Sequence, residues 1–141
     1  MHGPYRICSL LLALAAALLQ LLAAPCSAQS APESAVVRIT AKEGERSKTG
    51  TGFIVQLSAD LAYIVTASHV VEGDDAPQIE FFTQRDRLVK ASVKAAEVND
   101  PKGLALLTVS GKQAMTPGLS VLALDTDTQL KGGDEVMAIG F

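Results

Sequence analysis

The sequence is poor in cysteine, and both of its cysteines, Cys8 and Cys26, lie in the N-terminal stretch read below as a leader. Once that leader is removed, the remaining chain can build neither a disulfide framework nor a thiolate zinc site. Histidine is almost as scarce. His69 is the one imidazole beyond the leader, so a histidine-rich zinc site is excluded too. The basic side chains are scattered (Arg38, Lys48, Arg85, Lys94, Lys131) and form no stripe that could track a phosphate backbone, which argues against a nucleic-acid partner. Of 12 Lys plus Arg, Arg6 sits in the leader, whereas all 15 Asp plus Glu lie beyond it, so the part that folds is acidic. Long helical patterns and internal repeats are also absent from that part. Gly50-Thr51-Gly52 lacks the third glycine and the following helix of a dinucleotide-binding turn. Asp74-Asp75 lacks the ordered spacing of a calcium loop and reads as a solvated loop. No cofactor and no metal is expected.

What is present begins with Arg6, the only charge in the first stretch, followed by an unbroken apolar run from Leu10 to Leu19 and, past Gln20, another from Leu21 to Pro25. That layout reads as a secretory signal peptide over residues 1–28, with small residues at Cys26 and Ala28 fitting an A-x-A-like cleavage pattern. A retained membrane anchor is the alternative, since Ile7 to Ala24 could almost span a bilayer; the interruption at Gln20 and the short apolar core favour cleavage. Lipid attachment at Cys26 is a further reading that Pro25 disfavours. With cleavage, the expected location is secreted or periplasmic, without stable membrane association. The stretch from Gln29 to Phe141 is long enough for one modest core and too short for two full domains.

Within it, brief apolar runs alternate with turn residues at a spacing that predicts many short strands. They are Val36–Thr40, Gly52–Leu57, Leu61–Thr66, Gln78–Phe82, Val89–Ala95, Leu104–Val109, Leu119–Leu124 and Glu135–Ile139. Ile64, Val65 and Thr66 are β-branched in a row, as a buried strand prefers. Val89 to Ala95 alternates apolar Val89, Ala91, Val93 and Ala95 with polar Lys90, Ser92 and Lys94; a helix would scatter those apolar positions around its circumference. Leu104–Val109 is nearly all apolar and predicts a strand buried on both faces. The fold class that follows is all-β, a barrel or sandwich.

His69 stands just past an apolar strand, in Tyr63-Ile64-Val65-Thr66-Ala67-Ser68-His69-Val70-Val71. Rigid backbone there can hold an imidazole at a cleft, as a general base requires. A lone histidine is also commonly a surface or gap-filling residue. Its surroundings favour the functional reading. Thr66 to Val71, preceded by Thr49-Gly50-Thr51-Gly52-Phe53-Ile54-Val55, resembles the G-[ST]-G-F-[IV] strand and T-A-x-H-V-V turn of the trypsin-like peptidases, most closely the cysteine-free exported HtrA (DegP) type. Asp100-Pro101-Lys102-Gly103-Leu104-Ala105-Leu106-Leu107 resembles that family's strand bearing the triad aspartate. Leu124-Asp125 and Lys131 to Phe141 resemble the opening of its second barrel.

The resemblance implies a double β-barrel of the chymotrypsin type, acting on protein or peptide substrates, with residues 29–117 as the first barrel and 118–141 as the start of the second. It implies that His69 is the general base. Two features depart from the pattern. Gly103 stands where the family has aspartate, and glycine cannot accept an imidazole N–H bond. Asp100, three residues upstream, can substitute only if Asp100 to Gly103 fold back as a turn, and it otherwise reads as a turn-capping residue. No serine has the G-[ND]-S-G-G setting that builds a nucleophile and an oxyanion hole; Ser68, Ser110 and Ser120 all lack it. The sequence therefore predicts an N-terminal portion of a serine endopeptidase, inactive alone, or alternatively a non-catalytic binding module on the same fold. Val136, Ile139 and Phe141 would then lack a full core, with poor solubility or a disordered C-terminus expected.

Overall fold

The computed structural model describes residues 31–97, 99–100, 102–111 and 118–141. The leader expected at residues 1–28, with both cysteines, lies outside them. A 3-10 turn at Pro32–Ala35, with proline suited to its first position, leads into the sheet. The strands are β1 (Val36–Glu43), β2 (Arg46–Leu57), β3 (Leu61–Ala67), β4 (Gln78–Phe81), β5 (Leu88–Lys90), β6 (Ser92–Ala96) and β7 (Leu104–Ser110), with a one-turn helix α1 (Ser68–Val71) after β3. All pairings are antiparallel, in the order β5-β4-β1-β2-β3-β7-β6.

The two ends of that order are consecutive in the chain, separated by Ala91 alone. β5 pairs with β4 and β6 with β7. Between them the Ala91 amide donates to the Pro77 carbonyl at 2.9 Å and the Val93 amide to the Asp75 carbonyl at 3.1 Å. The sheet thus curls until one bent segment, residues 88–96, borders both of its margins, and the open edges that a flat sheet would expose are removed. The expectation of an all-β, chymotrypsin-like first barrel holds.

Alternation fills the interior. Val37, Ile39 and Ala41 of β1, Ala62 and Ile64 of β3, Ile79 and Phe81 of β4, and Ala105, Leu107 and Val109 of β7 are all buried, because successive side chains point to opposite faces of a strand. At Gly52, opposite Val37, a Cβ would stand 2.8 Å from Ile39 Cδ1 and 2.9 Å from Ile64 Cγ2, so the barrel closes there only on glycine. Among the described residues no helix is long and apolar enough to cross a membrane.

Three expectations are corrected. Val89–Ala95 is two strands rather than one, and its alternation fails beyond Val93, where a bulge between Val93 and Ala95 shifts the register and leaves Ala95 exposed. Leu104–Val109 does form a strand, but Leu104 is 57% exposed, so the segment is not buried throughout. Leu119–Leu124 and Glu135–Ile139 are not strands and carry no regular secondary structure. The first makes isolated bonds, the Leu122 amide to the Ile54 carbonyl (2.9 Å) and the Ser120 amide to the Ser34 carbonyl (3.3 Å), and among the described residues neither segment has a ladder partner. Val136 and Met137 there are 72% and 76% exposed.

Two predictions follow from the barrel. Ile64→Ala, at a fully buried site, is expected to lower unfolding stability by about 2–5 kcal/mol, while Leu88→Lys at an exposed site changes it by less than about 0.5 kcal/mol in the same chemical denaturation series. At the β1–β2 hairpin, the Lys48 ammonium 2.9 Å from Glu43 holds that carboxyl below its usual value, chiefly by hydrogen bonding and then by charge. A lowered carboxylate stabilises the fold above its unfolded pKa and loses that contribution as pH falls through the folded value. Lys48→Met is expected to raise the Glu43 midpoint, read by side-chain carboxyl NMR titration.

Candidate active site

β3 delivers the chain to one end of the barrel, and α1 begins at once with Ser68. In that single turn Ser68, Val70 and Val71 are buried, and His69 alone is exposed. The turn is far too short to be stable by itself, so its seat must come from packing. Two glycines provide it. A Cβ on Gly50 of β2 would lie 2.6 and 2.7 Å from the two γ-methyls of Val70. Val70 therefore sinks into the space that a side chain at position 50 would need, and its β-branched shape leaves it little room to swing aside. On the other flank the Ser68 amide donates to the Gly103 carbonyl at 2.8 Å, and a Cβ on Gly103 would lie 2.9 Å from Ser68 Oγ. Thr66 Oγ1 donates to the Thr51 carbonyl at 2.9 Å, tying the end of β3 to β2. The G-T-G motif and the histidine motif are thus one piece of packing.

His69 opens onto a cavity of about 400 Å³ whose wall also carries Glu72, Asp75, Glu97 and Asp100. Apart from the imidazole, every ionisable side chain on that wall is a carboxylate. Asp100 to Gly103 does fold back, with the Gly103 amide donating to the Asp100 carbonyl at 2.9 Å. Within that turn Asp100 Oδ1 accepts the Lys102 amide at 2.8 Å, so Asp100 is a turn-capping residue that also faces the histidine's cavity. Sequence reasoning passed over Glu97, which follows β6 in no motif. Its Oε2 accepts the Leu104 amide at 2.8 Å, and its own amide donates to the Leu104 carbonyl at 3.0 Å. Among the described residues no three His, Cys, Asp or Glu side chains are arranged to hold a metal ion.

Ser68, Ser110 and Ser120 are each engaged elsewhere than at the imidazole. Ser68 is in a helical turn rather than extended, and its hydroxyl points inward to the Asp100 carbonyl at 3.4 Å. Ser110 pairs with Leu61, at the far end of β3 from His69, about 20 Å away along the strand. The Ser120 hydroxyl shares a 2.6 Å hydrogen bond with that of Ser34. What the arrangement supplies chemically is an exposed imidazole on a rigid mount beside carboxylates.

Comparison with known proteins adds to this geometry. Residues 50–141 match the trypsin-like peptidase domain family. Over 90 residues, 64% of this chain, the sequence is 34% identical to the serine protease Do-like HtrB of Bacillus subtilis (strain 168), and the match spans 18% of that protein's length.

The seat of α1 makes a specific prediction. Gly50→Ala is expected to cost about 1–3 kcal/mol through overpacking against Val70. Val70→Ala opens the same space, so the double variant should lose measurably less than the sum of the singles in a double-mutant cycle by thermal denaturation. Strict additivity would show that Val70 does not hold the turn against β2.

Proposed function

The chain belongs to the trypsin-like peptidase family, and from that membership we propose that it is the histidine-bearing part of an exported HtrA-type serine endopeptidase. The observation that carries this reading is the mount of His69, the one exposed side chain of a turn whose other three residues are buried. In the reaction such an imidazole takes the proton of a serine hydroxyl as it attacks a peptide carbonyl, then returns it to the leaving amine. Protein or peptide substrates suit that chemistry. Residues 29–117 form the first barrel in this reading, and 118–141 begin a second whose exposed Val136 and Met137 await strands to cover them. The nucleophile and its oxyanion hole are then contributed by sequence other than these 141 residues. Export rests on the leader pattern of residues 1–28.

A second reading has its own support. The space at Gly103 is filled by neighbouring atoms, so an aspartate cannot enter this conformation without displacing them. A protein that keeps the barrel and has given up catalysis, binding peptides instead, would tolerate that.

An active-site serine probe separates the two. We expect no labelling of the 141-residue chain, and labelling of a natural longer polypeptide that carries a glycine-flanked serine, abolished there by His69→Ala. Stoichiometric labelling of this chain would overturn the assignment of the nucleophile. Absence of labelling in a longer form that has the serine would favour the binding module.

A further inference from the structure

The side chain missing at position 103 has left no void. A Cβ there would lie 2.9 Å from Glu97 Cβ, 2.9 Å from Ser68 Oγ and 2.9 Å from the Asp100 carbonyl oxygen. Glu97 thus stands in the place that glycine vacates. Its carboxylate is fastened to the amide of the very next residue, Leu104, at 2.8 Å, and it forms part of the cavity wall that includes His69. The other carboxylates are placed differently. Asp100 spends Oδ1 on its own turn at the Lys102 amide. Glu72 and Asp75 follow α1 in the chain, and neither supplies any of the three atoms nearest to a Cβ built at position 103.

We propose that Glu97 is the positioning residue that replaces the carboxylate absent at Gly103. Its Oε2 stays on the Leu104 amide while Oε1 accepts an N–H from the His69 ring, fixing the tautomer whose other nitrogen faces a nucleophile. This rests on the general-base reading of His69. Among the described residues the imidazole has no ion-pair partner, and both side chains are exposed on the same cavity wall. A glutamate has one methylene more than aspartate with which to reach from a neighbouring segment. The glycine is what lets its Cβ come close enough.

The ring nitrogens of His69 report the bond directly, without any need for a serine. In the ¹⁵N-labelled chain at alkaline pH, with signals assigned through His69→Ala, the Nδ1–H tautomer is expected to predominate. Glu97→Gln keeps an acceptor for the Leu104 amide, and so the fold, but removes the charge. It should shift the tautomer ratio toward Nε2–H by up to about tenfold, the scale of a hydrogen bond to a charged group. Asp100→Asn should leave the ratio as in the unmodified chain. An unmodified chain already favouring Nε2–H, or an Asp100→Asn shift as large as that of Glu97→Gln, would overturn the proposal. Failure of the serine probe on a longer polypeptide would instead defeat the peptidase reading and leave this ring measurement unchanged.

Discussion

The interaction on which the site depends is the close approach of a four-residue turn to two glycines. A one-turn helix has almost no stability of its own. α1 persists because Val70 presses against Gly50 at a separation that no side chain would permit, while Ser68 is bonded to Gly103 on the opposite flank. With its neighbours committed to packing, His69 is left outward by default. Its exposure is therefore a product of burial elsewhere, and its precision is set by backbone contacts, the stiffest the chain has to offer.

Barrel closure supplies the second condition. Gly50 lies in β2 and Gly103 immediately precedes β7, and β3 lies between those strands, paired to both. Because residues 88–96 border both margins of the sheet, the strands cannot splay, and the spacing between Gly50 and Gly103 is held by the ladder itself. The same bent segment ends at Ala96 and hands the chain to Glu97, so the element that closes the barrel also sets a carboxylate on the cavity wall.

Much of this was legible in the sequence. Period-two alternation and β-branched runs placed β3, β4 and β7 within a residue and β1 with its end three residues short, and the T-G-T-G-F and T-A-S-H-V-V patterns located His69 at the end of a strand. The division at Ala91 was hidden because alternation reports which face a residue takes and says nothing of which neighbour it pairs with. Leu119–Leu124 and Glu135–Ile139 have strand-forming composition, but a strand is defined by a partner, and among the described residues neither has one. The turn at α1 spans four residues, barely one helical period, too few for a periodic pattern to show. Glu97 carried no signal, since a glycine in the sequence does not tell what occupies the space it frees. The turn at Asp100 was readable from its proline and glycine, yet whether its carboxylate served the turn or the histidine required coordinates.

The crowding around Gly103 bears on how such a site can change through descent. Replacing glycine by aspartate needs only one altered codon, but the new Cβ would land within 2.9 Å of Glu97, Ser68 and the Asp100 backbone at once. An aspartate at this position therefore demands change at Glu97 and relaxation of the turn as well. Position 103 thus acts as a latch: a side chain there is coupled to three neighbours at once, so single substitutions around the glycine are accommodated more readily than substitution of the glycine itself.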